Sequence, residues 1–309
     1  MEIYQLRYFV TVAETGNFTK AAALCFVSQP SLSQQILNLE EELGHKLFHR
    51  LGRRTSLTQA GQLLLEKSRR ILVEVDNTLK ELKDDPGAAH RVAIGCIPTL
   101  APYLLPRVIA CCRARFPALE ITAHENFYPR LVELVVQGEI DIALVARPIK
   151  DARVIVEPLM QEPLLLALGR QHPLLQRDKI TLHDLRNETF IMMGDASSLA
   201  AQIQRFFGDH DFEPHIGFRC AQVATVKALV AEGVGISILP AGTTSPADAP
   251  TLAYKVLAGR PPAREIAYIR HPRRYQSRGV AQFILALKES LVPPTPVTPV
   301  SAPPFPAAS

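Results

Sequence analysis

Residues 17–44 read NFTKAAALCFVSQPSLSQQILNLEEELG, a stretch that predicts two short helices joined by a tight turn. The first helix is predicted to begin near Thr19 and the second at Ser28, because both residue types are favoured N-caps. Pro30 falls in the first turn of the second helix, where a missing N–H costs nothing, and Gly44 supplies the stop. One core face recurs at helical spacing in the second helix: Leu32, Ile36, Leu39 and Leu43.

Two short helices joined by a tight turn are the helix-turn-helix pattern, whose second helix enters the major groove of DNA. The outward face of the second helix carries neutral side chains that suit base edges and phosphates. An ordinary solvent-facing surface would be richer in Lys and Glu, which appear only later, at 40–42. A generic three-helix bundle is the alternative. The residues predicted to contact DNA are Gln29, Pro30, Ser31, Ser33, Gln34 and Asn38.

The segments on either side of this pair complete a winged head. A helix over 4–14 is predicted from its apolar spacing. Residues 46–58 are predicted to form two short strands around a basic turn, a wing that lies across the phosphate backbone. Arg50, Arg53 and Arg54 would then add affinity and salt dependence rather than sequence choice. A solvated basic turn is the alternative.

A long helix is predicted over 58–83. Its apolar residues alternate at spacings of three and four, with one polar position in the seam. A seam this long needs a partner, so we interpret it as a dimerisation helix; packing on its own domain is the alternative. The seam residues are Leu65, Ser68, Leu72, Val75, Leu79 and Leu82.

Strands and helices alternate beyond this helix, which predicts an α/β sheet with crossover helices. Ligands in such sheets bind beyond the carboxyl ends of the strands. Predicted strands cover 91–97, 119–124, 140–146, 164–168, 190–193, 217–220, 235–239 and 266–269. Predicted helices cover 103–115, 130–137, 199–207 and 223–232.

Composition bounds the class of protein. The chain has 309 residues, a net charge of +4 and 47% hydrophobic residues, which indicates two or three globular domains. It shows no signal-peptide pattern and no apolar run of about 20 residues, so we expect a cytoplasmic protein without a membrane partner. The five cysteines have no metal-ligand spacing. Residues 293–309 are Pro-rich and uncharged, and are predicted to be disordered.

The motifs of the common enzymes are missing. The sequence contains no Gly-rich phosphate loop, no H-E-x-x-H and no G-x-S-x-G, so we expect neither an enzyme nor a cofactor. A transport binding protein built on similar α/β lobes would need an export signal. Two DNA-binding hypotheses stand beside the enzyme and transport classes. One is a transcription regulator that responds to a ligand bound in the α/β part, and the other is a nucleoid-type DNA binder without an inducer.

The N-terminal pattern resembles the LysR-type transcription regulators. The strings that carry this resemblance include Leu6-Arg7-Tyr8-Phe9, Val27-Ser28-Gln29-Pro30, Leu43-Gly44 and Thr58-Gln59-Ala60-Gly61. The resemblance implies a multi-domain chain: an all-α winged helix-turn-helix head (1–58), a linker and dimerisation helix (59–87) and a sensor domain (88–292). The sensor would have two α/β lobes like periplasmic binding proteins, with lobe I at about 91–162 and 267–292 and lobe II at about 163–266.

The same resemblance implies the partners and the effector site. Such regulators bind double-stranded promoter DNA as homodimers or homotetramers, respond to a small-molecule effector and act with RNA polymerase. The residues expected to line the effector cleft are Thr99, Leu100, Tyr128, Arg147, Ser198 and Gln222. The alternative interpretation is that Arg147 is a charged residue of a surface loop and that Gln222 is a helix cap.

Within the family, the sensor half is most similar to the peroxide-responsive OxyR-like branch, through strings such as Ile97-Pro98-Thr99 and Leu239-Pro240-Ala241. In that branch a reactive and a resolving cysteine form the peroxide switch. Here Ser198 and Phe207 fall at the two positions, and a Ser hydroxyl cannot follow the thiolate oxidation chemistry. We therefore predict that the chain does not sense peroxide by that dithiol switch. Cys96 and the adjacent pair Cys111-Cys112 are weaker redox candidates.

Overall fold

The computed structural model describes residues 1–51, 54–85 and 89–291. Backbone contacts divide the described chain into two units. The first comprises Met1–Asp85 and Arg273–Ser277, and the second comprises the rest. Within the described residues, every helix is too short or too polar to cross a membrane. The predictions for Arg53 and for the tail at 293–309 lie outside the described residues, as do residues 86 and 87 at the end of the predicted linker.

The first unit contains the predicted winged head. Its elements are α1 (Ile3–Thr15), α2 (Phe18–Leu24), α3 (Gln29–Leu43), β1 (Phe48–Leu51), β2 (Arg54–Leu57) and α4 (Gln59–Leu82). Ser28 caps α3 as predicted, and Gly44 ends it with a positive φ of 66°. The predicted start of α2 was wrong by two residues, because Asn17 rather than Thr19 accepts the free backbone N–H of Lys20.

The core of the head is built from the apolar faces of α1, α2 and α3. Phe9, Leu32, Ile36 and Leu39 are fully buried, and the first turns of α4 pack against them. The seam of α4 therefore divides in two. Its first half packs on its own domain, which was the alternative interpretation, and Ser68 is fully buried there. Its second half leaves Leu79 and Leu82 exposed.

The second unit is the α/β part. Its first elements are β3 (His90–Cys96), α5 (Ala101–Arg115), β4 (Leu119–Glu125), α6 (Tyr128–Gln137), β5 (Ile142–Ala146) and β6 (Ile155–Gly169). They are followed by β7 (Thr189–Met193), α7 (Ser198–Gly208), β8 (His215–Cys220), α8 (Val223–Ala231), β9 (Ser237–Pro240), β10 (Leu252–Lys255), β11 (Ala263–Arg270) and α9 (Arg278–Ser290).

Two hydrophobic cores confirm a two-lobed architecture. In one sheet the strand order is β10-β6-β11-β5-β3-β4, with β9 also paired to β6, and β7 pairs with β8 in parallel. The long strand β6 belongs to both lobes: residues 155–163 pair with β11, and residues 164–169 pair with β9 or β10. One core surrounds β3 and β5, and the other surrounds β7 and the second half of β6.

Three elements were absent from the sequence-based prediction: the first half of β6, the strand β10 and the helix α9. The boundary of the returning strand also differs. Ala263 already pairs with Pro163, so the return to lobe I begins near residue 263 and not at 267. The first half of β6 was missed because Pro158 and Pro163 interrupt the apolar pattern that indicates a strand.

Candidate DNA-binding face and effector cleft

The predicted DNA-contacting residues share the exposed side of α3. The buried side carries the core leucines, whereas Gln29, Pro30, Ser31, Gln34 and Asn38 are exposed and Ser33 is half-buried. Two hydrogen bonds between residues four apart organise this surface. The Nε2 of Gln29 donates to Ser33 Oγ at 2.8 Å, and the Nε2 of Gln34 donates to Asn38 Oδ1 at 2.9 Å. The face therefore presents oriented amide and hydroxyl groups without a formal charge.

The wing is a two-stranded antiparallel hairpin of β1 and β2. The backbones of Arg50 and Arg54 lie in these strands. The carboxylate of Glu40 attaches the start of the hairpin to α3: it accepts the N–H of Leu47 at 2.8 Å and that of Phe48 at 3.4 Å. Lys46 Nζ donates to the same carboxylate at 2.9 Å. Burial alone would raise the pKa of Glu40, but these donors outweigh it and lower the pKa below its ordinary value.

Glu40 was missed by the sequence reasoning, which grouped it with the solvent-facing acids at the end of α3. It is only 4% exposed. The sequence does hold a weak signal, because residue 40 follows the buried Leu39 and precedes the wing by a few residues. A buried carboxylate is retained only with donors around it, and the backbone of the wing supplies them.

Thr99, one of the effector residues predicted on lobe I, contacts a buried ion pair. Thr99 is 2% exposed, and its hydroxyl accepts Arg264 Nη1 at 2.8 Å. The Nε of Arg264 donates to Glu162 Oε2 at 2.8 Å, and both side chains are almost fully buried. Leu100 is fully buried in the core of lobe I, and its assignment to the effector cleft remains a prediction.

The other predicted cleft residues lie on the lobe edges. Arg147 is half-exposed and pairs with Glu265 at 3.0 Å, and its carbonyl accepts the Nε2 of Gln202, which lies on α7. Tyr128, the first residue of α6, is half-buried, and burial raises the pKa of its phenol. Two further residues begin helices of lobe II: Ser198 is the first residue of α7, and Gln222 is the exposed N-cap of α8.

Comparison with known proteins identifies the family. The profile of the LysR substrate binding domain matches residues 86–292, and that of the bacterial regulatory helix-turn-helix protein of the lysR family matches residues 3–62. The chain belongs to the LysR family. A hydrogen peroxide-inducible genes activator from Dickeya chrysanthemi is 39% identical to it over 243 residues, which are 78% of this chain and 79% of that protein.

Solved structures agree with this assignment. Full-length OxyR from Pseudomonas aeruginosa, in a variant form, matches with a TM-score of 0.68 at 26% identity, and the match covers 94% of both chains. CbnR in complex with its target DNA matches with a TM-score of 0.58 at 26% identity, covering 94% of this chain and all of that one. The resemblance to the OxyR-like branch is thereby confirmed.

This LysR-family chain is a DNA-binding transcription regulator with an effector-binding domain. Members of the family regulate transcription and are not enzymes. Its five cysteines are all free thiols. Burial raises the pKa of Cys96 and Cys220, and raises that of Cys112 to about 11. Phe207, which is predicted to fall at the position of the resolving cysteine, is a buried core residue whose ring packs edge-on against Phe190.

Proposed function

We propose that this LysR-type regulator recognises promoter DNA through α3, with the exposed amide and hydroxyl side chains of residues 29–38 in the major groove. The observation that supports the proposal most strongly is the pair of i,i+4 hydrogen bonds on that face. The bond between Gln34 and Asn38 favours one orientation of both side chains before DNA is bound, which reduces the side-chain entropy lost on contact with bases. The wing arginines Arg50, Arg53 and Arg54 would bind phosphates.

The test compares Gln34→Ala with Gln62→Ala, an exposed glutamine on α4 that lies outside the proposed face. Affinity for promoter DNA and for a scrambled duplex is measured by titration at several salt concentrations. We expect Gln34→Ala to weaken promoter binding by about 1–3 kcal/mol and to leave scrambled binding nearly unchanged. Gln62→Ala should change neither. An equal loss on both duplexes would contradict a base-reading role for Gln34.

Loss of a phosphate contact should affect DNA binding differently from loss of a base contact. Arg53→Ala should weaken binding to both duplexes alike and reduce the slope of log affinity against log salt by about one. Promoter discrimination should remain as it is in the wild type. If Arg53→Ala instead changed discrimination between the duplexes, the wing would be reading sequence and not the phosphate backbone.

The effector is proposed to bind between the two lobes, next to Thr99, Tyr128, Arg147, Ser198 and Gln222. Support comes from the position of these residues at strand ends and helix starts, where ligands of α/β sheets bind. A crystal structure of the sensor half purified from its native cells tests this. Ligand density in contact with none of the five residues would refute the site. Control by that ligand would appear as a footprint on promoter DNA that changes when the ligand is added.

Three further properties belong to the same proposal. The exposed second half of the α4 seam, with Leu79 and Leu82, supports a homodimer, and two such dimers would form a homotetramer. The protein would act in the cytoplasm, beside RNA polymerase, without enzymatic activity and without a cofactor. Since Ser198 and Phe207 replace the two cysteines of the OxyR-like switch, its signal would be a bound molecule rather than a disulfide.

A further inference from the structure

The buried ion pair between the lobes lies at the point where the chain crosses from one lobe to the other. Glu162 and Arg264 are direct cross-strand partners on β6 and β11. One residue pair further on, β6 leaves β11 and joins the strands of lobe II. The effector site proposed above includes Thr99, which Arg264 holds by its hydroxyl and its carbonyl.

The carboxylate of Glu162 is surrounded by donors from both lobes. Arg264 Nε donates at 2.8 Å, and the backbone N–H of Gly242 donates at 2.8 Å. The hydroxyl of Tyr103 lies 2.8 and 2.9 Å from the two carboxylate oxygens and donates its one proton to either. A guanidinium, a backbone N–H and a phenol hydroxyl form the donor set that would bind a carboxylate from solution.

The space around this carboxylate is fully used. A Cβ added at Gly242 would lie 2.3 Å from Tyr103 Cε2 and 2.7 Å from Glu162 Oε1, so only glycine allows this approach. Arg264 also donates to Thr99 Oγ1, Thr99 O and the Tyr103 hydroxyl, which leaves little donor capacity for a second anion.

The donors Arg264, Tyr103 and Gly242 form an anion-binding position, which we call the anion seat. We infer that the carboxylate of Glu162 occupies this seat in the interlobe cleft, so that the effector that binds beside Thr99 is a neutral, hydrogen-bonding molecule. The inference rests on the proposed effector site. Two other cations near predicted cleft residues are also neutralised: Arg147 by Glu265 at 3.0 Å, and Arg219 by Asp195 at 2.7 Å. A carboxylate or phosphate that bound Arg264 would have to displace Glu162, at the cost of leaving a buried charge unpaired.

Chemical rescue tests whether the seat exists. Glu162→Ala removes a fragment the size of acetate, and unfolding of the full-length variant is followed by calorimetry with sodium acetate replacing sodium chloride at equal ionic strength. We expect acetate to raise the temperature of the sensor-domain transition of Glu162→Ala, resolved from that of the head, by about 5 °C and to leave the wild type unchanged. Glu265→Ala is the control, because its partner Arg147 is half-exposed and should gain nothing specific from acetate. No rescue, or an equal gain in all three proteins, would overturn the inference.

A second variant serves if Glu162→Ala does not fold. Glu162→Gln keeps the shape of the side chain and removes its charge, so that Arg264 loses its carboxylate partner. Benzoate should then raise the temperature of the sensor-domain transition in this variant and leave that of the wild type unchanged. An equal response of the variant and the wild type to benzoate counts against the seat.

A comparison of a charged with a neutral compound tests whether the cleft accepts an anion or a neutral ligand. Benzoate and benzamide share a shape and differ in charge, and both are added to the wild type. A benzoate-specific rise in transition temperature that Arg264→Met abolishes would refute a neutral effector, whereas stabilisation by benzamide alone supports it. Failure of the rescue leaves the interlobe effector site itself standing, since ligand density beside Ser198 and Gln222 tests that site independently.

Discussion

Gly61 in the first turn of α4 allows the wing and the helix to touch, and Gly61→Ala should therefore disrupt the head. A Cβ at this position would lie 2.1 Å from the carbonyl oxygen of Leu47 and 2.9 Å from Leu57 Cδ2, whereas ordinary contact begins near 3.4 Å. The Leu47 carbonyl must retreat by roughly 1 Å to relieve the overlap. That carbonyl also accepts the backbone N–H of Thr58, the N-cap of α4, at 3.0 Å.

The magnitude combines two costs. Overpacking a tight site costs about 1–3 kcal/mol, and a strained or lost backbone hydrogen bond costs about 1 kcal/mol more. We therefore expect Gly61→Ala to destabilise the head by about 3 kcal/mol. Because the chain has two units, a single melting temperature would mix their transitions. Hydrogen exchange at the amides of α1 and α3 reports the head alone, and its protection should fall about 100-fold.

Gly208→Ala supplies the matched control. Gly208 is the last residue of α7, and a Cβ added there would have no atom of the described chain beyond its own helical turn within 4 Å. This substitution should leave the head unchanged and stabilise lobe II by up to about 1 kcal/mol, because alanine loses less backbone entropy on folding. If Gly61→Ala kept the exchange protection of the wild type, the junction would be able to relax, and the steric argument for this glycine would be wrong.

Three further predictions concern single side chains. The folded-state pKa of Glu40 is lowered, so the ionised carboxylate stabilises the folded head. This contribution to the free energy of unfolding is complete above the ordinary pKa of the group and is lost as the pH falls through the lowered value. Glu40→Gln should therefore weaken the dependence of the head's stability on pH at the acid end. Phe26 is 94% exposed at a φ of 56°, so Phe26→Asn should raise the head's stability by about 0.5–1 kcal/mol, measured by hydrogen exchange. Hydrogen peroxide should form no disulfide that alters DNA binding, because burial keeps thiols such as Cys112, with a pKa of about 11, protonated. Mass spectrometry detects the disulfide, and a promoter titration measures the DNA binding.

The sequence predicts the head well because its signals are local. The N-cap Ser28, the C-cap Gly44 and the leucine spacing between them all act within one helix. The error at α2 has the same origin, since Asn17 and Thr19 are both competent caps two residues apart. Only the backbone decides between them, and Asn17 is the one whose side chain reaches the free N–H of Lys20.

The seam of α4 shows what helical periodicity cannot predict. A stripe of apolar residues indicates that the helix packs against a partner, but it does not identify that partner. The first half of the stripe packs against the head, where Leu65 joins the cluster around Phe9, while Leu79 and Leu82 remain exposed. The same spacing therefore serves an intramolecular core and a surface available to a second copy, and only the tertiary structure separates the two.

The buried pair between the lobes lay beyond sequence reasoning for a physical reason. A sequence pattern associates charged residues with the surface and therefore gives no reason to single out Glu162 and Arg264. Their burial depends on Thr99 and Gly242, which are far away in sequence and approach only when β3, β6 and β11 share one sheet. A buried charge persists only with its partners, so the residues at strand ends are only one part of the proposed effector site. In our inference, the ion pair that Thr99 contacts sets the charge of the ligand that the cleft accepts.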